Sequence, residues 1–236
     1  MRFPLRLSAA LFKAKVSSFF AGSSGSRAIL HLVPGENAAA LAASVSAPVI
    51  WLAGAESLAH PEIGRITSDL VQSECHVFLH TDGYNLRQRI HAFRPDSRFF
   101  LTLEFAGREE THSRATGRSD AFRRSLEGIR AAKLSGFLVA SHFTVTPETD
   151  VCEIGELIEL LDKHDVDGFI VTSRGQALAA GNASLAERVE DARAMIRCGR
   201  WEKFSRILDA SYAVAAGARS PQKLAATGEG AYEEGD

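Results

Sequence analysis

Six short apolar runs recur along most of the chain, and they constrain its fold more than any other feature. Each run is short enough for one strand, and none alternates strictly between apolar and polar residues, which is typical of strands buried on both faces. The predicted strands are Ala28–Val33, Val49–Ala53, His76–Leu79, Phe99–Phe105, Phe137–Val145 and Gly168–Val171.

Helical patterns occupy the intervals between these runs. In Pro61–Val71 a proline in the first turn precedes apolar residues at helical spacing. Asp120–Leu134 begins at a capping residue and ends before Gly136, which suits the left-handed position after a helix. Glu153–Lys163 carries one apolar stripe. Strands that alternate with crossover helices predict an α/β fold, a partial, open (β/α)6 TIM-like parallel barrel with an N-terminal helix and C-terminal helices.

The two ends of the chain differ from this pattern in charge. Positions 1–34 hold five basic residues and no acidic one, whereas positions 227–236 hold four acidic residues. We expect a basic amphipathic helix and connector at 1–26, the barrel at 27–181, appended helices at 182–219 and a disordered acidic tail at 220–236. The N-terminal helix has three interpretations: packing on the barrel, peripheral contact with an anionic membrane, or targeting.

Composition restricts the partners and the compartment. The net charge is −2, so no basic surface for nucleic acid is predicted. The three cysteines, at positions 75, 152 and 198, lie far apart, as is common in a reducing compartment. No apolar run approaches the ~20 residues of a membrane-spanning helix. We expect a cytoplasmic protein, with peripheral contact at the inner membrane surface as the alternative.

Polar residues follow the predicted strands at their carboxyl ends, where the active site of a parallel barrel lies. The candidate catalytic residues are Glu56, Asp82, Glu104 and His142. Carboxylates and histidine can transfer protons or bind a divalent metal. The same residue types also cap helices and fill satisfied core positions, and this structural role is favoured because no HxH or HExxH spacing is present. No metal site is therefore predicted.

Short motifs in this region resemble those of radical S-adenosylmethionine enzymes. Positions 54–61, Gly-Ala-Glu-Ser-Leu-Ala-His-Pro, resemble the family's Gly-Gly-Glu-Pro-Leu-Leu-His-Pro stretch, and positions 81–83, Thr-Asp-Gly, resemble its Thr-Asn-Gly. The segment from Glu104 through His112 to Gly136 is similar to the family's fourth strand, histidine-containing loop and next helix. Within the family, the chain is most similar to the hopanoid-biosynthesis members, which join an adenosyl group to a triterpene. The resemblance implies a pocket for S-adenosylmethionine, lined by Gly54, Ala55, Glu56, Thr81, Glu104 and Ser141.

The chain departs from this family where the cofactor chemistry begins. In the family, a CxxxCxxC loop after the first strand holds a [4Fe–4S] cluster, which binds the methionine part of the cofactor. Here Pro34–Ala40 contain no cysteine, and iron–sulfur ligation requires thiolates. Ala55 replaces the family's second glycine, and its Cβ would crowd a ligand that approaches the backbone. We therefore expect no [4Fe–4S] cluster and no radical chemistry.

Three hypotheses about function follow. The first is a cluster-less pseudoenzyme that binds a small molecule, such as S-adenosylmethionine, or a protein partner and is linked to hopanoid or terpenoid metabolism. The second is a barrel enzyme with replacement carboxylate and histidine chemistry. The third is a radical S-adenosylmethionine enzyme whose cluster loop is missing from the gene model.

Overall fold

The computed structural model describes residues 7, 9, 29–31, 49–54, 56–173, 183–196 and 205. Its strands are β1 (Ile29–His31), β2 (Val49–Ala53), β3 (His76–Thr81), β4 (Phe99–Phe105), β5 (Leu138–Val145) and β6 (Gly168–Ser173). Its helices are α1 (Ile63–Gln72), α2 (Leu86–Arg89), α3 (Glu109–Thr116), α4 (Ala121–Leu134), α5 (Val151–Lys163) and α6 (Ala183–Ile196). Two 3-10 turns lie at Ser57–Ala59 and Ile90–Ala92.

The six strands form one parallel sheet in the order β1-β2-β3-β4-β5-β6. Each strand pairs with the next one along the chain, and helices connect successive strands from β2 to β6. Parallel neighbours require such crossover connections, because the chain must return to the starting edge of the sheet each time. The sheet curls into a half-barrel, so the predicted partial (β/α)6 fold is confirmed.

Several element boundaries agree with the sequence patterns, and others differ for local reasons. The strands Val49–Ala53 and Phe99–Phe105 are confirmed as predicted. Gly136 follows α4 with φ +82°, the left-handed conformation expected there. Pro61 lies two residues before α1, so its predicted place in the first helical turn is wrong. Helices α2 and α3 were not predicted, because they are short and bury only one residue each.

The two faces of the sheet have different partners. On the inner face, the Trp51 and Phe78 rings stack with centroids 4.8 Å apart, and the Phe78 and Phe100 rings stack 4.6 Å apart. On the outer face, Phe105 meets Phe122 of α4 edge-on at 5.9 Å. Strand side chains alternate between faces, so the buried residues of each strand serve both layers. The aromatic stack fills the inner face, and polar residues follow it toward the carboxyl ends.

One buried ion pair ties the helical layer to the start of the last two strands. Asp167, only 2% exposed, accepts hydrogen bonds from the Val139 backbone N–H at 2.7 Å and from Lys133 Nζ at 2.5 Å. A buried carboxylate needs such partners, because an unpaired charge would be costly to remove from water. This contact fixes α4 against β5 and β6 at the end of the sheet opposite the strand termini where polar residues collect.

The chain ends are described only in part. Leu7 is helical and fully buried in the core. Ser205 accepts a hydrogen bond from the Phe169 N–H at 3.4 Å, near the start of β6. Most of the predicted amphipathic helix, much of 182–219 and the acidic tail lie outside the described residues, so the proposed domain borders and the membrane contact stay predictions. None of the described helices is long and apolar enough to cross a membrane.

Candidate functional site

Glu56 joins the ends of β2 and β3. It precedes the first 3-10 turn as its N-cap, and its Oε1 accepts hydrogen bonds from the Leu58 N–H at 2.9 Å and the Thr81 hydroxyl at 2.8 Å. Its Oε2 accepts the Asp82 N–H at 3.3 Å. A carboxylate has about four lone-pair positions, so these three bonds leave room for one more donor. Glu56 thus has the structural role expected of a capping residue, with limited capacity for a ligand.

The environment of Glu56 favours its protonated form. Burial, followed by a hydrogen bond between the Glu56 and Asp82 side chains and by their like charge, raises the pKa of Glu56 from its ordinary 4.5 to about 7. The bonds from Leu58 and Thr81 act in the opposite direction but are weaker. Glu56 is therefore partly protonated near neutral pH, and it can accept or release a proton in that range.

The turn after β3 requires glycine at its centre. Gly83 has φ +77°, and a Cβ there would lie 2.6 Å from Leu103 Cδ2. This close approach to the outer face explains the glycine of the Thr-Asp-Gly stretch. The preceding Asp82 accepts from the Tyr84 N–H at 2.9 Å and forms an ion pair with Arg118 at 2.9 Å. Asp82 therefore caps the turn and holds a surface arginine.

A polar row crosses the inner face of β3, β4, β5 and β6. His80 Nε2 lies 3.1 Å from His142 Nδ1 and 3.6 Å from Glu104 Oε2. The ends of the row are hydroxyls: Thr144 donates to Glu104 Oε1 at 3.0 Å, and Thr172 lies 2.7 Å from His142 Nε2. Four neighbouring strands thus bring two imidazoles and one carboxylate together above the aromatic stack.

The histidines in this row are neutral near pH 7. Burial, with the nearby His80, lowers the pKa of His142 to about 3. Burial also lowers the pKa of His80, although the negative charges of Glu104 and Asp82 oppose the change. The two rings differ in access, because His142 is 6% exposed while the His80 side chain is 19% exposed. His80 is therefore the more accessible of the two rings.

The predicted site residues occupy three kinds of position. Glu56, Asp82, Glu104 and His142 lie near the carboxyl ends of their strands, and Gly54 and Thr81 adjoin Glu56 in the chain or by hydrogen bond. Ser141 pairs with Leu103 and Phe169, so it points to the helix-covered face and away from the polar row. Ala55 lies outside the described residues.

Two further histidines test the sequence reasoning. His112 is 2% exposed and packs between the rings of Phe105 and Phe122, so it is part of the core of the helical layer.

His80 was not among the candidates, although it shares the inner face with Glu104 and His142. Strand periodicity contained the signal, because His80 lies two residues after the inner-face residue Phe78 and therefore on the same face of β3.

The two cysteines that the structure describes lie too far apart to hold one [4Fe–4S] cluster together. Cys75 is buried directly before β3, at the amino end of the sheet, while Cys152 is exposed in the first turn of α5, beyond the carboxyl end of β5. The third cysteine, at position 198, lies outside the described residues. Within the part of the chain that the structure describes, no group of three or more His, Cys, Asp or Glu residues is arranged to hold a metal ion.

Two solved structures have a fold similar to that of this chain. Streptococcus suis SuiB bound to precursor peptide SuiA has a TM-score of 0.52 and 13% identity, covering 65% of this chain and 37% of that one. Archaeal TYW1 has a TM-score of 0.50 and 11% identity, covering 81% of this chain and 60% of that one. The chain thus spans less than two thirds of the length of either structure. These identities support the likeness of the fold alone.

Sequence comparison assigns the family. No protein of curated function matches the chain. Residues 27–161, more than half of the chain, match the family described as the Radical SAM superfamily. The matched segment runs from just before β1 through most of α5 and includes Glu56, Asp82 and both histidines of the polar row. The chain therefore belongs to the radical S-adenosylmethionine superfamily.

Proposed function

We propose that this protein binds a small molecule at the mouth of its half-barrel, that this molecule is S-adenosylmethionine, and that binding does not depend on an iron–sulfur cluster held by this chain. The observation that carries the proposal is the retained mouth: Glu56 bridges the ends of β2 and β3, and Glu104 faces inward from β4. The family membership supports the choice of ligand, and the unsuitable cysteine set supports independence from a cluster.

The charge of the mouth favours a cationic ligand. Glu104 has one oxygen held by Thr144, while its other oxygen lies 3.6 Å from His80 and its side chain is 36% exposed. Because both histidines of the row are neutral and Glu56 is partly protonated, Glu104 is the main source of negative charge beside the row. The ammonium and sulfonium groups of S-adenosylmethionine match this arrangement.

Isothermal titration calorimetry of the purified chain with S-adenosylmethionine tests the proposal. We expect saturable binding, and we expect Glu104→Gln to weaken it about tenfold, because one charge-assisted contact contributes about 1.5 kcal/mol. The matched control is Glu156→Gln, which removes an exposed carboxylate on α5 and should leave the affinity unchanged. Absence of binding at millimolar ligand would refute the proposal for this ligand and direct the search to a protein partner by affinity capture.

The proposed setting is hopanoid or terpenoid metabolism, because the basic N-terminal segment before the first strand resembles that of the hopanoid-biosynthesis members of the family. A basic N-terminal helix would place the protein at the inner membrane surface, where such lipids occur. Flotation with anionic and neutral vesicles tests this part separately. Binding to neither kind of vesicle would contradict the peripheral location without affecting the ligand proposal.

A second candidate function is an enzyme with proton-transfer chemistry. The specific observation in its favour is the contact between His80, His142 and Glu104 on the inner face. A carboxylate beside a neutral imidazole is a common arrangement of general acid–base catalysis. This candidate does not require S-adenosylmethionine as the ligand.

A further inference from the structure

We infer that His80 is a general base acting on a small carbon acid bound at the half-barrel mouth, with Glu104 stabilising its cation and with His142 and Thr172 positioning its ring. The inference rests on the proposed binding of a small molecule at this mouth, but it does not rest on S-adenosylmethionine as that molecule. It makes His80, which lies in the strand β3, the acting group of the proton-transfer candidate.

The His80 ring is held by a second, more deeply buried ring. The two imidazoles meet edge to face, with centroids 5.2 Å apart and planes at 70°, and their facing nitrogens are 3.1 Å apart. His142 is in turn fixed by Thr172 at 2.7 Å and by Trp51, whose ring meets it edge-on at 6.3 Å. Three strands, β2, β5 and β6, therefore contribute to the orientation of one accessible imidazole on β3.

Glu104 is suited to stabilise a positive charge on His80. Its Oε1 is held by the Thr144 hydroxyl, which leaves Oε2 directed to within 3.6 Å of His80 Nε2. A carboxylate in this place orients the neutral ring and lowers the free energy of the imidazolium when it forms. His142 cannot share this role easily, because its burial disfavours a charged ring.

The reaction step is a proton transfer that balances without a further reactant. A C–H bond of the bound molecule, acidified by a neighbouring electron-withdrawing group, breaks, and its proton moves to Nδ1 of His80, because Nε2 of this ring already faces His142 and Glu104. The electron pair stays on the substrate, and the new imidazolium pairs with Glu104. The proton returns to the product, or to water, in the following step. A small polar carbon acid is the substrate class that this step requires.

A chromogenic carbon acid tests this inference without knowledge of the natural substrate. The probe is 5-nitrobenzisoxazole: a base removes the proton on C3, the electron pair forms the nitrile, and the N–O bond breaks to give a coloured phenolate. We expect the full chain to accelerate this elimination by roughly 100-fold over an equal concentration of free imidazole, which is at the low end for a positioned acid–base group. A rate no higher than that of imidazole would overturn the inference.

Matched variants assign the activity to the proposed ring. His80→Gln should reduce the rate to the imidazole background, while His91→Gln, which changes an exposed histidine outside the row, should retain the wild-type rate. Thermal unfolding monitored by circular dichroism verifies that each variant is folded. Equal rates for the wild type and a folded His80→Gln variant would refute the assignment.

The pH profile distinguishes a base from a structural residue. The rate should rise to a plateau with a midpoint below 6.5, because burial lowers the pKa of His80. In Glu104→Gln the midpoint should move to lower pH, because Glu104 raises the pKa of His80. Asp82, which also raises this pKa, and His142 are unchanged in this variant. Thr172→Val should lower kcat without moving the midpoint. An unchanged midpoint in Glu104→Gln would contradict the role of Glu104. The elimination rate and its pH midpoint are measured without calorimetry. A lack of binding of S-adenosylmethionine can therefore be distinguished from a lack of general-base activity at His80.

Discussion

Glu56 couples the stability of the fold to pH. Its pKa is raised in the folded state, so its protonated form is favoured there, and its contribution to stability is fully present below 4.5 and is lost as pH rises through about 7. Glu56→Gln keeps the neutral form at all pH values. We therefore compare the free energy of unfolding of Glu56→Gln with that of the wild type at two pH values. The variant minus wild-type difference should be about 2 kcal/mol larger at pH 8 than at pH 5, a value already reduced for the partial exposure of Glu56.

Urea unfolding at the two pH values measures this difference. The control is Glu156→Gln, which corrects for the loss of one carboxylate from an exposed helix surface. A difference between Glu56→Gln and the wild type that stays constant from pH 5 to pH 8 would show that the folded state does not favour protonated Glu56.

At the residue scale, the sequence predicted strand ends better than side-chain directions. Glu56, Asp82 and Glu104 were predicted to lie near the strand ends because each lies at or just after the end of an apolar run, and the structure places them there. Ser141 was grouped with its neighbour His142, although alternation along β5 directs the two residues to opposite faces. His80 was missed because the predicted strand ended one residue before it, which removed it from the inner-face pattern.

At the scale of elements, α1 lies so close to the second 3-10 turn that its second residue must be glycine. A Cβ on Gly64 would lie 2.2 Å from the Ala92 carbonyl oxygen. Because this oxygen is backbone, α1 or the turn must shift. We expect Gly64→Ala to lower the unfolding free energy by about 3 kcal/mol, at the upper end for an overpacked position, and to lower the Tm by roughly 6–12 °C.

A substitution at a second glycine, Gly136, serves as a comparison, because it introduces conformational strain without a steric clash. Gly136 has φ +82°, and no heavy atom lies within 4 Å of the place that a Cβ would occupy there. Gly136→Ala should therefore cost only about 1 kcal/mol, the penalty of a left-handed alanine. Calorimetric melting of both variants gives the comparison. Equal losses of stability would contradict the close approach of α1 to the turn.

Element boundaries were predictable where apolar runs end in polar or small residues. β4 was predicted without error because Phe99–Phe105 is apolar except at two inner-face positions, whereas β6 continues two residues beyond its predicted end into Thr172 and Ser173. These polar ends are signals of a barrel mouth and not of a loop. Helix α3 escaped prediction because its single buried residue, His112, leaves no apolar stripe.

At the scale of the whole molecule, the cysteine placement predicts the outcome of cluster reconstitution. Cys75 and Cys152 lie at opposite ends of the sheet, and the first-strand loop of the family's CxxxCxxC motif has no cysteine here. Anaerobic incubation with iron and sulfide should therefore leave less than stoichiometric iron after desalting and no thiolate-to-iron absorbance. The matched comparison is a Cys152→Ser variant, which should behave like the wild type. Stoichiometric iron in the wild type would overturn the cluster-independent proposal.

The stack of Trp51 on Phe78 gives the half-barrel an optical signal of its own. The Trp51 ring also contacts His142 edge-on, and His142 is hydrogen-bonded to His80. The Trp51 indole therefore lies beside the polar row in which a protonated imidazole would form. A protonated imidazole quenches indole emission, whereas a neutral one quenches it weakly. In a Trp201→Phe background, which leaves Trp51 as the single emitter, acidification or an occupied mouth should change the fluorescence intensity and lifetime. The inner face of the barrel can thus be observed without any added label.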